Sequence, residues 1–220
     1  MIRHIIFDCD GVLIDSETIS MKIDQALLAG NGIMISEADM HQRFVGTTFQ
    51  AMIDEIEVGT GVKLPSNLEE RKDQLMIEAY RRELKAIAGV AAALAAISLP
   101  KSIGTNGPRS RALLALQLTG ISQHFGDNLT TFEDVAHGKP FPDVYLLAAK
   151  RSGFAPGECL VVEDSLTGVT AAVAAGCYTL GFTGSHLHRS DHAKALLGLG
   201  AKRVFNDMAE LPGIIRNLSA

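Results

Sequence analysis

Short apolar runs of strand length alternate with helix-length segments over most of this chain, and that alternation most narrows the folds open to it. "HIIFDCD" has the apolar content and length of a strand, "AGVAAALAAIS" is helical, "KSIGTN" is a strand, and "RSRALLALQLTG" is a helix with Gly120 behind it. "FPDVYLLAAKRSG" is again helical, "ECLVVED" a strand, "LTGVTAAVAAG" a helix and "CYTLGF" a strand, with "AKRVFN" and "MAELPGIIRNL" closing in the same manner. Strands separated by helices of this size imply an α/β fold with a doubly wound parallel sheet.

One segment breaks the rhythm. Between Ser16 and about Lys85 only helix-like stretches occur, set apart by Gly, Pro, Ser and Asn. The expected organisation is therefore a core of residues 1–15 and 87–220 with an all-helical cap, 16–86, inserted after the first strand. A separate N-terminal bundle is disfavoured because the strand at Ile5 precedes the segment and needs partners that follow it. With 220 residues, 47% of them hydrophobic, the chain is long enough to bury a core of this kind.

Bulk properties remove several function classes. No stretch approaches the roughly 20 uncharged apolar residues of a membrane span, and "MIRHIIFDCDG" carries acids where a signal peptide needs none, so a cytoplasmic location is expected. The net charge of −5 and the lack of a Lys/Arg cluster argue against nucleic acid. Cys9, Cys159 and Cys177 each sit in an apolar run with no metal spacing, the pattern of buried free thiols in a reducing compartment.

The chemistry begins at "FDCDGVLIDSE", which places Asp8 and Asp10 at the end of an apolar run, just before Gly11. In an extended strand alternate side chains share a face, so the two carboxylates are expected side by side at the carboxyl end of the sheet, where open α/β sheets bind ligands. Unit charges ~4 Å apart at an effective dielectric near 20 repel by about 4 kcal/mol. A divalent cation relieves that repulsion, and Mg²⁺ suits oxygen donors shared with a substrate phosphate. Taken alone, the pair serves equally as a turn or helix cap.

Three further segments shift the balance. "KSIGTNGPRS" ends a strand with Thr105 and Asn106 ahead of a helix, an anion site or a helix cap. "HGKPFPD" sets Lys139 between Gly138 and Pro140, without the spacing of a P-loop. "CLVVEDSLTG" closes a wholly apolar strand with Glu163 and Asp164, a second pair of acids at a second strand end.

In order and spacing these four segments resemble the motifs of the haloacid dehalogenase-like (HAD) hydrolase superfamily, "DCDGVLIDSE" the first, "IGTN" the second, "GKPFPD" the third and "VVEDS" with "GVTAAVAAG" the fourth. The helical insertion resembles the alpha-helical cap of the β-phosphoglucomutase-like branch, and the chain as a whole looks most like that branch's 6-phosphogluconate-type sugar-phosphate phosphatases. The resemblance implies Asp8 as the nucleophile, Asp10 as acid and base, Thr105 and the Asn106 backbone holding phosphoryl oxygens, and Lys139 neutralising charge. It implies Mg²⁺ held by Asp8, Asp10 through its carbonyl, and Asp164, with Glu163 beside it or one layer further out.

The second aspartate, Asp10, is missing from the family's dehalogenases, so that activity is set aside. Mutases of the branch carry a histidine where Ser20 stands here, which favours water as the phosphoryl acceptor over a sugar. In the cap, "QRFVGTT" resembles the branch's specificity loop, making Arg43, Gly46 and Thr47 candidates for the organic part of the substrate; a solvated Arg43 is the competing reading. His186, His188 and His192 are read as surface residues of a loop. A non-catalytic phospho-acceptor module is the reading from another class, and it leaves the cap without a purpose. The expected partner is a small phosphorylated metabolite, with no nucleic acid and no membrane, for a chain that is a monomer or a weak homodimer.

Overall fold

In the computed structural model all residues are described except 45–47, 187–188 and 220, together with the side chains of 41, 42 and 219. The chain divides into two compact units, one made of Met1–Asp15 and Lys85–Ala220, the other of Ser16–Leu84.

The first unit opens with β1 (His4–Phe7). The second unit then contributes α1 (Glu17–Ala29), α2 (Glu37–Phe44), α3 (Phe49–Thr60) and α4 (Leu68–Glu83). Leu27, Leu28, Met40, Phe44, Ile56 and Leu68 belong to its own apolar core. Its helices carry local signals that match their ends. Thr48 caps α3 by accepting from the Ala51 N–H, while α4 has Glu69 and Glu70 in its first turn and Arg81 and Arg82 in its last, complementing the helix dipole.

The first unit resumes with α5 (Val90–Ala96), β2 (Lys101–Thr105), α6 (Arg109–Leu118), β3 (Leu129–Thr131), α7 (Asp143–Ser152) and β4 (Cys159–Glu163). It ends with α8 (Leu166–Ala174), β5 (Tyr178–Phe182), α9 (Arg189–Gly198), β6 (Arg203–Phe205) and α10 (Leu211–Ser219). The six strands form one parallel sheet in the order β3-β2-β1-β4-β5-β6. The chain leaves and re-enters this unit at adjacent points, for Asp15 N donates to Lys85 O at 2.9 Å and Ile87 N to Leu13 O at 3.0 Å.

Both faces of the central strands are covered, which is why β1 and β4 read as unbroken apolar runs. On one side, Ala148 and Ala149 of α7 and Ala171 and Ala172 of α8 pack over Ile6, Cys159 and Val161. Small alanines bring the helices close to the sheet, and each fully buried aliphatic beneath them contributes about 1.5–3 kcal/mol. The three cysteines are free and buried, and burial pushes the Cys159 thiol up to about 11 and the Cys177 thiol up to about 12.

Two elements depart from the sequence reading. β3 has only three residues and polar threonines, too little period for a strand signal, and it is recruited by pairing with β2 at the sheet edge. The segment read as a loop around His192 forms α9.

At the opposite end of β1 from its acids, His4 is 1% exposed, bonds Ser102 Oγ through Nε2 at 2.7 Å and stacks on Phe154. Burial lowers its pKa from 6.5 to about 4. The unfolded chain takes up this proton first, so stability is complete above pH 6.5 and falls as pH drops toward 4, by about 3 kcal/mol at the limit. Urea midpoints of wild type and His4→Gln across this range are expected to converge as pH falls; a constant gap would refute the assignment.

Candidate active site

The strand order reverses at β1. The chain runs outward from β1 through β2 to β3, then returns to build β4 on the other side. A doubly wound sheet opens a crevice at such a point, beyond the carboxyl ends of the two strands. β1 and β4 pair with Phe7 opposite Val162, so the residues that follow, Asp8 and Glu163, emerge together.

The approach of Asp8 and Asp10 has a different origin from the one expected. β1 ends at Phe7, and the backbone turns at once, with Cys9 O accepting from Leu13 N and Ile14 N. A tight turn, not strand alternation, brings Asp10 back toward Asp8, whose pKa its charge helps to raise. Gly11 permits the turn with φ 72°, and its missing side chain makes room for Asp164, since a Cβ there would lie 2.0 Å from Asp164 Oδ2. Gly11→Ala is expected to cost about 2–5 kcal/mol, a positive-φ penalty plus overpacking, measured by urea unfolding. A loss below about 1 kcal/mol would show that the turn tolerates a side chain.

Asp8, Glu163 and Asp164 are all buried, with one oxygen from each within 4.8 Å of the others. Lys139 Nζ lies 2.6 Å from Asp8 Oδ1 and 2.6 Å from Glu163 Oε1, and 4.9 Å from the centre of the Tyr145 ring. Burial alone would lower the Lys139 pKa, but the carboxylates of Asp8 and Glu163 outweigh it and hold the ammonium charged. Asp8 is pushed upward, first by burial and then by the neighbouring acids, against the pull of Lys139. Asp164 is raised by burial and by Glu163. One lysine does not balance these acids, so a cation fits the site.

Glu163 is bonded by the protein on both of its oxygens, which suits the outer of the two placements expected for it. Its Oε1 accepts from Lys139 and from Tyr145 Oη at 2.9 Å, and its Oε2 accepts from Ser165 N at 2.8 Å and Ser165 Oγ at 3.0 Å. Four donors fill the acceptor capacity of a carboxylate. Gly168 has no side chain to intrude, and a Cβ there would lie 1.6 Å from Glu163 Oε1. Of the three grouped acids, Asp8 and Asp164 are less fully engaged, Asp8 Oδ1 meeting Lys139 and Asp164 Oδ2 meeting His186.

Asn106 joins β2 to the lysine loop. Its Oδ1 accepts from Lys139 N at 2.8 Å, and its Nδ2 donates to Lys139 O at 3.0 Å across a cis Lys139–Pro140 bond. The side chain is thus engaged by the protein, and only the Asn106 backbone is available for the role expected of it. Thr105 is buried and its Oγ1 accepts from Gly107 N at 2.9 Å. A Cβ built on Gly107 would meet both Thr105 Oγ1 and Asp10 Oδ2 at 3.3 Å, so this loop borders Asp10.

Of the cap candidates, Arg43 lies on α2, exposed, donating to Glu55 Oε1 at 2.9 Å and resting over the Phe44 ring. Gly46 and Thr47 lie outside the described residues, as does His188. The surface reading of the histidines fails for His186, which is 6% exposed and sits 3.1 Å from Asp164 Oδ2. Tyr145, His186 and His192 carry no sequence signal for these contacts, because each is linked to the acids through tertiary packing, whereas Ser165 bonds Glu163 from two residues along the same motif.

The family model for haloacid dehalogenase-like hydrolases matches residues 2–176. The chain is 30% identical over 176 residues to the 6-phosphogluconate phosphatase of Escherichia coli strain K12, covering 80% of each. Among solved structures, it is similar to a conserved haloacid dehalogenase-like protein of unknown function from Agrobacterium tumefaciens, at 33% identity and TM-score 0.89 over 100% of both chains. A HAD family hydrolase from Deinococcus radiodurans, solved with bound phosphate and sodium, matches at 31% identity and TM-score 0.80, covering 99% of this chain and 96% of that one.

Proposed function

This chain belongs to the haloacid dehalogenase-like hydrolases, and we propose that it is a Mg²⁺-dependent phosphatase acting on a small phosphorylated metabolite, a sugar phosphate or phosphorylated sugar acid. The observation that carries the reading is Lys139 seated between Asp8 and Glu163, beside a third buried acid, Asp164. Buried oxygen donors with excess negative charge suit a hard cation, which Asp8, Asp164 and the Asp10 carbonyl would hold. When bound, Mg²⁺ supplies electrostatic screening of the phosphate dianion.

In the proposed reaction Asp8 attacks phosphorus, forming a P–O bond while the ester P–O bond breaks, and Asp10 gives its proton to the leaving oxygen. Water then attacks phosphorus of the aspartyl-phosphate while Asp10 takes a proton from it, the bond between Asp8 oxygen and phosphorus breaks, and phosphate leaves with the Asp8 carboxylate restored. Lys139 pulls the Asp8 pKa down against burial, which favours the carboxylate, and it faces the incoming charge. Thr105 and the Asn106 backbone donate to phosphoryl oxygens. Such positioning and electrostatics carry most phosphoryl-transfer catalysis.

Residues Ser16–Leu84 are proposed as the cap that selects the organic group. This unit holds a cavity of about 160 Å³ bordered by Glu17, Ser20, Phe49 and Lys72, whose Nζ lies 2.8 Å from the Asp24 carboxylate. Arg43, Gly46 and Thr47 remain candidates for the same task. The test is hydrolysis of p-nitrophenyl phosphate with and without Mg²⁺, followed by kcat/KM across sugar phosphates and phosphorylated acids. Mg²⁺-dependent turnover, highest with a phosphorylated sugar or sugar acid, is expected; interconversion of sugar-phosphate isomers faster than hydrolysis would install a mutase instead.

A further inference from the structure

Asp164 is held by two histidines that the proposed chemistry does not use. β4 ends one residue before it, and Ser165 begins the next helix by accepting from Gly168 N at 3.0 Å. Asp164 is therefore a junction residue, outside both the strand ladder and the helix. Its carboxylate occupies the space left by the missing Gly11 side chain and is met there by His186 Nε2, 3.1 Å from Oδ2. Its main-chain carbonyl is taken by His192 Nε2, from the first turn of α9.

A carbonyl oxygen only accepts, so His192 donates through Nε2, and His186 in turn donates through Nε2 to the carboxylate. The two rings stack on each other, with centroids 3.8 Å apart and planes 25° from parallel. His186 is itself fixed along its backbone, its N–H donating to Thr183 O at 3.2 Å and its carbonyl accepting from Arg189 Nε at 3.3 Å. One ring thus sets the peptide plane of Asp164, the other sets the rotation of its carboxylate, and each ring limits the other.

We propose that His186 and His192 are positioning residues that preorganise Asp164 for a divalent cation, one through its carboxylate and the other through its carbonyl. This rests on the reading of Asp8 and Asp164 as cation ligands. Donors behind a metal-binding group commonly contribute 10–100-fold in affinity because the ion no longer has to order its own ligand.

The test is Mn²⁺ affinity of the full chain, read from the free Mn²⁺ signal in electron paramagnetic resonance, with thermal melts of the metal-free protein alongside. His186→Phe and His192→Phe keep a ring and remove the donor; His186→Gln and His192→Gln keep a donor and remove the ring. The Phe variants are expected to bind about 10–100-fold more weakly, and the Gln variants to retain most of the affinity. Wild-type affinity in both Phe variants, or equal losses in Phe and Gln variants, would overturn the proposal. A directly bound histidine nitrogen seen in the Mn²⁺ spectra would also overturn it, by making the ring a ligand. Mn²⁺ binding that is lost in Asp164→Asn but intact in the Phe variants would leave the proposed function standing without it, whereas a wild type that binds no Mn²⁺ would overturn both.

Discussion

Asp8→Asn is expected to lower turnover of a phosphate monoester by about 10⁴-fold or more while leaving the protein folded. The amide has nearly the volume of the carboxylate and its oxygen can still accept from Lys139 Nζ, which lies 2.6 Å from Asp8 Oδ1. What it lacks is the anionic oxygen that attacks phosphorus. The substitution also relieves crowding among acids, because Asp8 sits with Glu163 and Asp164 in a buried group and its own pKa is raised by burial and by both of them. Stability in the absence of metal is therefore expected to hold or rise, which separates loss of chemistry from loss of fold. Steady-state kinetics with a urea unfolding curve measure both, and a variant retaining a tenth of wild-type turnover would remove Asp8 as nucleophile.

Lys139→Met is expected to damage stability and activity together. Lys139 is the cation that Asp8 and Glu163 share, and its side chain is only 3% exposed. Removing one partner of a buried ionic group leaves uncompensated charge and costs about 3–5 kcal/mol. For a chain of 220 residues that is a fall of roughly 6–20 °C in Tm. The pH dependence gives the sign. Lys139 is what pulls the Asp8 pKa down against burial, so in the variant the folded-state carboxyl is raised further above its unfolded value of 3.8. Raised acids are tolerated while protonated and destabilise as pH rises through their folded pKa. The gap between wild type and variant is thus expected to be widest near neutrality and to narrow toward pH 4. A gap that widens in acid would contradict the ion-pair account.

The residues differ in how far their roles are legible from sequence. The apolar runs around Ile6 and Val161 imply a covered parallel sheet because burial on both faces leaves no polar alternation, and β1 and β4 are those strands. Asp8, Lys139 and Asp164 are visible as candidates because they fall at strand and loop ends inside spaced motifs, and the fold brings all three together. Glu163 stands in the same motif, yet whether its oxygens face an ion or a lysine depends on Tyr145, 18 residues away, and on Ser165. Asp10 is adjacent to Asp8 through a turn, which strand periodicity does not describe.

Sequence alone determined the alternating architecture, the helical insertion and the acid-bearing motifs, since propensity, periodicity and spacing act within a few residues of one another. Tertiary structure decided which acid is already satisfied, and that His186 and His192 reach Asp164 across 22 and 28 positions. The physical reason is that a carboxylate's role is set by the donors that desolvate it. Those donors arrive from separate elements only when the sheet closes around its switch point.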